Sequence, residues 1–214
     1  SVVMVYADYK ILNSLPVISQ VTIGDKSTPV WQQSFWETGE YQEFVRNNGC
    51  GHCCATMALN LYGIKIDPHQ EFTLCRKLWG EPTEHQGNFQ TVSGITKILR
   101  HYGVPAEYFG VPSQEIAKKH IEKSLCDGKQ VILWTPGKST FPESPFSMRS
   151  HYVMAVGYTK DGQILVANSS YKMAPTGVQM VDIDTIARAL YFGAEPNDKT
   201  WGERGFHVNN AGYV

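Results

Sequence analysis

The order of hydrophobic periods along the chain predicts an α+β fold, with a helical part followed by an antiparallel sheet. Between Cys50 and Cys126 apolar residues recur at helical spacing in four segments. Beyond Gln130 the pattern shortens to β-rich runs of six to eight residues. Two of these runs flank Thr159-Lys160-Asp161-Gly162, a turn sequence that returns one strand alongside the other. Helices first and hairpin-linked strands second argue against a doubly wound alternation.

The elements follow in order. Residues 1–49 hold many turn formers (Asn13, Pro16, Gly24-Asp25, Asn47-Asn48-Gly49) and a cluster of aromatics, and read as short strands and loops. Cys50–Tyr62 places Cys50, Cys54, Met57, Ala58, Leu61 and Tyr62 on one helical face, with Gly63 as the stop. Asp67-Pro68 is a cap followed by a first-turn proline, opening a helix to Trp79. Thr91–Tyr102 repeats the pattern through Val92, Ile95, Ile98 and Leu99. Ser113 caps a fourth helix with the apolar face Ile116, Ala117, His120, Ile121 and Leu125, ending at Asp127-Gly128. Gln130–Thr135, His151–Tyr158, Gln163–Asn168 and Gly177–Ile183 are the expected strands. Asp184–Leu190 is a short helix, and Phe206–Val208 closes the sheet. The Pro/Ser/Gly-rich connection 136–150 is expected to border a cleft. The whole is read as one domain, 1–214, with a helical half about 50–126 and a sheet half about 130–214.

Composition narrows the function classes. The chain is 42% hydrophobic and 18% charged, ordinary for a globular protein with a real core. Its net charge of -1 and lack of long basic runs argue against nucleic acid as a partner. No stretch approaches the roughly 18 apolar residues of a membrane span. Ser1–Asp8 does not resemble an export signal, since it is short and lacks a basic start. A signal removed before Ser1 and a cytoplasmic chain both remain open, as does the oligomeric state. The five cysteines are Cys50, Cys53, Cys54, Cys75 and Cys126; an odd number, three of them within five residues, is not a disulfide framework.

One constellation suits chemistry. A thiol becomes a good nucleophile when a helix N-terminus or a nearby imidazole favours its thiolate. Cys50 stands at such an N-terminus, after the turn Asn47-Asn48-Gly49, and Gly51 lets a carbonyl approach the amides there. His151 opens a strand directly after an irregular loop. The hairpin returns Asn168, which a pairing of 151–156 with 163–168 sets opposite His151 as its orienting group.

These segments carry a family resemblance. NNGCGHCCATMALNLYG (Asn47–Gly63) resembles the nucleophile helix of the bacteriocin-processing, double-glycine leader peptidases and their stand-alone bacterial relatives. SHYVMAVGY (Ser150–Tyr158) is similar to their histidine strand, and ILVANSSY (Ile164–Tyr171) to the strand that ends in their third catalytic residue. The resemblance covers roughly Trp31–Asp182. It implies a papain-like fold, a thiol-dependent hydrolysis of a peptide or related amide, a peptide or protein substrate, and no cofactor. It also implies a glutamine upstream of the nucleophile that steadies the oxyanion. WQQSFW (Trp31–Trp36) selects Gln33, with Gln20, Gln32 and Gln42 as competitors. Two departures stand out: His52 replaces a proline or small residue, and Asn168-Ser169 replaces the commoner Asp-Pro. The expected catalytic set is therefore Cys50, His151, Asn168 and Gln33.

Other readings compete. Cys50-Gly51-His52-Cys53 spells the disulfide-exchange motif of protein disulfide isomerases, so a thiol-disulfide oxidoreductase using Cys50 and Cys53 is one alternative. The polar turn before it and the unassigned His and Asn strands count against that. A catalytically idle peptide-binding module is another. A zinc site from His52, Cys53, Cys54 and Cys75 lacks a second paired-ligand spacing, so no metal is expected. Cys53 and Cys54 read as helix packing, His52 as an exposed cap, and the remaining histidines as surface or packing residues.

Overall fold

Among the described residues, the most buried helix is the one that carries Cys50. In the computed structural model, which describes residues 49–79, 92–159, 161–170, 173–174, 177–192 and 205–209, α1 (Cys50–Leu61) is buried at every position from Cys50 to Leu59. Only one polar side chain in that stretch, Thr56, turns back on the helix itself, its hydroxyl donating to the His52 carbonyl at 2.8 Å. A helix apolar all round needs cover on every side. It receives that cover from α2 (Pro68–Trp79), α3 (Val92–His101) and the sheet.

The chain continues through β1 (Ala106–Phe109), α4 (Gln114–Cys126), β2 (Lys129–Thr135), β3 (His151–Tyr158), β4 (Gln163–Ala167), β5 (Val178–Asp182), α5 (Ile183–Phe192) and β6 (Gly205–Asn209). The strands form one antiparallel sheet in the order β1-β6-β2-β3-β4-β5. The α+β expectation, helices first and antiparallel strands after, holds. Within it, β1 lies among the helices and α5 follows the hairpins; β1 was not foreseen.

Helices cover both faces of the sheet. Ile132, Tyr152, Met154, Val156, Leu165 and Ala167 pack with α1 and α3. Val131, Leu133, Val153, Ala155, Ile164 and Val166 pack with α4 and α5. A strand buried on both faces reads as a continuous apolar run, and β3 is buried at all its positions. A bulge between Ala155 and Gly157 resets the alternation, which lets Tyr158 join the α4/α5 side with Val153 and Ala155.

Several local expectations hold. Ser113 caps α4 by accepting from the Ile116 amide at 3.2 Å. Asp67 and Gln70 close the reciprocal box that starts α2, at 2.7 and 3.0 Å. Others are corrected. Ile116 is 40% exposed, because α4 turns Ala117, Ile121 and Leu125 to the sheet and leaves Ile116 beside that stripe. His120 is half-buried and stacks on Phe109 at 4.4 Å. The β3–β4 ladder pairs Met154 with Ala167, so His151 does not face Asn168 across it, since the bulge and the offset of the turn shift the pairing.

The 136–150 connection is held tightly. Lys138 and Ser139 donate from their amides to the carbonyls of Ser147 and Met148, folding the segment on itself, and Phe141 and Phe146 are buried beneath it. Gly137 lies against the returning backbone: a Cβ there would come within 2.3 Å of Arg149 N and of the Met148 carbonyl. Gly157, by contrast, would meet only the Leu165 side chain, at 3.3 Å. Gly137→Ala is therefore expected to cost about 1–3 kcal/mol in urea denaturation, and Gly157→Ala distinctly less. The reverse order would contradict this packing.

Candidate active site

The first turn of α1 brings the Cys50 thiol against β3. Gly49 precedes the helix without a side-chain cap, and the amides of Gly51, of Cys50 itself and of Tyr152 hydrogen-bond toward the sulfur. Tyr152 is the residue next to His151, so the thiol meets the β3 backbone one residue along from the histidine. Burial raises the Cys50 pKa above its ordinary value, and the three amides offset part of that rise.

His151 is buried at the edge of β3, its carbonyl accepting from the Thr135 hydroxyl at 2.8 Å. Its Nε2 lies 2.7 Å from Asn168 Oδ1. The orientation of Asn168 is fixed by its other contacts. Its Nδ2 donates to the Phe146 carbonyl at 3.0 Å and to Gln179 Oε1 at 2.8 Å, while Oδ1 also accepts from the Ser170 amide at 2.8 Å. The oxygen therefore faces the ring, Nε2 carries the proton, and the lone pair of the neutral imidazole resides on Nδ1. Burial lowers the His151 pKa to about 4, against which the Asn168 bond acts in the opposite sense.

The expected residues thus fall into three groups. His151 and Asn168 are in direct contact. Cys50 meets the amide of the residue following His151. Gln33, with Gln20, Gln32 and Gln42, lies outside the described residues. Gln179 was not foreseen. It lies on β5, and its Nε2 donates to the carbonyls of Pro145 (2.9 Å) and Met173 (3.2 Å), tying the 136–150 segment and the turn after β4 to Asn168. A lone glutamine in a strand gives no sequence signal of such a role.

Cys53 and Cys54 are packing residues in this geometry. Each is fully buried, and burial raises both thiols well above the ordinary value. His52 is corrected from an exposed cap: it is 1% exposed, because α2 packs over that side of α1, and its Nδ1 lies 2.6 Å from Glu71 Oε2.

Residues 24–194 match the Peptidase_C39 like family. The chain belongs to that family. Comparison with curated proteins gives no match. The Peptidase_C39 like assignment makes the protein cysteine peptidase-type and bears out the papain-like resemblance read from its motifs. Among the described residues, no helix is long and apolar enough to cross a membrane.

Two outcomes follow. Gln179→Leu leaves a buried Asn168 N–H short of a partner and is expected to cost about 1–3 kcal/mol of stability by urea denaturation. The second concerns pH. A histidine whose folded pKa is depressed binds fewer protons folded than unfolded, so stability is present above the unfolded value of 6.5 and falls as pH drops toward 4. That loss is expected to reach about 3 kcal/mol. Stability measured between those pH values should decline less steeply in His151→Gln than in the parent protein.

Proposed function

We propose that this protein is a papain-like cysteine peptidase that cleaves a peptide or related amide bond through Cys50, His151 and Asn168. The bond from His151 Nε2 to Asn168 Oδ1 carries the reading, because it leaves Nδ1 as the basic atom of a histidine whose neighbour in β3, Tyr152, meets the Cys50 thiol through its amide. Cys50 transfers its proton to Nδ1 as the sulfur attacks the carbonyl carbon. The tetrahedral oxyanion collects hydrogen bonds from the amides at the start of α1 and from Gln33. Collapse expels the amine, which takes the proton from His151, and water repeats the sequence to release the acid. Asn168 keeps the ring in the tautomer this requires.

Both groups rest uncharged, since burial lifts the thiol and depresses the imidazole. Proton transfer then creates thiolate and imidazolium together, each stabilising the other, at the moment of attack. The elevated pKa of Cys53 weighs against dithiol exchange, which needs a readily ionised pair. A peptide substrate follows from the family, and the 136–150 segment is the nearest candidate for the wall of its cleft.

The test pairs turnover of a mixed peptide library with iodoacetamide labelling mapped by mass spectrometry. Cys50→Ala is expected to abolish turnover, and His151→Ala to lower it by about 10²–10⁴-fold while slowing alkylation of Cys50. Gln33→Ala should cost about 10²–10³-fold, and the same loss in Gln20, Gln32 or Gln42 instead would reassign the donor. Equal labelling of Cys50 and Cys53 with a reversible disulfide between them would replace the hydrolase by an oxidoreductase. Slow labelling everywhere, with peptide bound and uncut, would make it a binding module.

A further inference from the structure

Behind the nucleophile, between α1 and α2, lies a second group of reactive side chains that the hydrolytic reading does not use. His52, Glu71 and Cys75 are each 1% exposed. Glu71 and Cys75 are four apart on α2 and share a face, while His52 reaches them from α1. Glu71 Oε2 lies 2.6 Å from His52 Nδ1, and the Cys75 thiol donates to Glu71 Oε1 at 3.0 Å. One donor atom from each residue can be chosen so that all lie within 4.8 Å of one another. Phe72 closes one side, its ring edge-on to His52 at 4.9 Å.

We propose that His52, Glu71 and Cys75 form a zinc-binding site that fastens α1 to α2. One imidazole nitrogen, one carboxylate oxygen and one thiolate sulfur are the donors that borderline-soft zinc takes, whereas calcium and magnesium want oxygen alone. Around a tetrahedral zinc, such donors stand about 3.3–3.6 Å apart, given bond lengths of about 2.0–2.3 Å. With Oε2 as the carboxylate donor, the 2.6 Å contact to Nδ1 opens by about 1 Å or less. Donors that all lie within 4.8 Å of one another close to those separations by small side-chain movements, and a fourth position remains for water. The step balances with one proton released: the metal takes Nδ1 as the ring proton moves to Nε2, the carboxylate binds as it stands, and the Sγ proton leaves to solvent as the dication enters. A carboxylate, an imidazole and a thiol gathered in an otherwise apolar helix interface are costly to bury for stability alone, because well-packed apolar residues would serve as well. The ligand set differs from any that spacing suggested: Glu71 replaces Cys53 and Cys54, and the pair Glu71–Cys75 is visible only once α2 is laid against α1. The site is independent of the peptidase reading.

The test uses the full chain, stripped with a chelator and titrated with cobalt(II) as the spectroscopic stand-in for zinc. The expected result is a near-ultraviolet sulfur-to-cobalt band that saturates at a single equivalent and is erased by zinc. Zinc should also raise the Tm of the parent protein by several degrees. The band should persist in Cys50→Ala and Cys126→Ser and disappear in Cys75→Ser, and Glu71→Gln should weaken cobalt binding at least tenfold. Absence of a saturable band in the folded parent protein would overturn the proposal without reference to any variant. So would a band that survives Cys75→Ser, which would place the metal on other thiols.

Discussion

The carboxamide of Asn168 is where four separated pieces of chain are joined. Its oxygen accepts from the first residue of β3 and from the amide of Ser170, and its nitrogen donates to Phe146 in the loop and to Gln179 on β5. A primary amide is suited to this because it offers donors and acceptors in one rigid plane. Buried polar groups must be satisfied, so every partner constrains the others. The ring of His151 inherits its orientation from that network.

Burial has a second consequence at this site. The same apolar surroundings that fix α1 against β3 disfavour every charge in them, so the thiol of Cys50 and the imidazole of His151 are both driven toward neutrality. The amides of Gly51, Cys50 and Tyr152 supply the main local counterweight, as preorganised dipoles that need not rearrange when charge develops. The two requirements of the fold, a dry helix and a polar reaction centre, are reconciled at one helix end.

Much of the architecture was legible because it rests on short-range rules. Cap and stop residues such as Ser113, Asp67-Pro68 and the glycines after each helix act locally, and so did the turn between β3 and β4. What escaped depends on partners far away in sequence. β1 is four residues long and becomes a strand only because residues 205–209 pair with it. The bulge at Ala155 and Gly157 defeats a simple count of register, so the contact of His151 with Asn168 was expected for the wrong pairing. His52 was misplaced because its burial comes from α2, whose orientation no pattern in α1 reveals. The candidate residues Cys50, His151 and Asn168 could be singled out since each marks the boundary of an element, whereas Gln179 and Glu71 sit inside regular elements and carry no local mark.

The strand order also bears on how the molecule is assembled at the ribosome. β6, the final described strand, sits between β1 and β2 rather than at a margin of the sheet. The meander of β2 to β5 has near neighbours and can form as it emerges, but among the described residues β1 has no ladder partner other than β6. The nascent protein must therefore keep residues 106–109 and the flank of β2 waiting until residues 205–209 have been made. Pairings so distant are slow to close and leave strand edges open to association with other molecules in the interval.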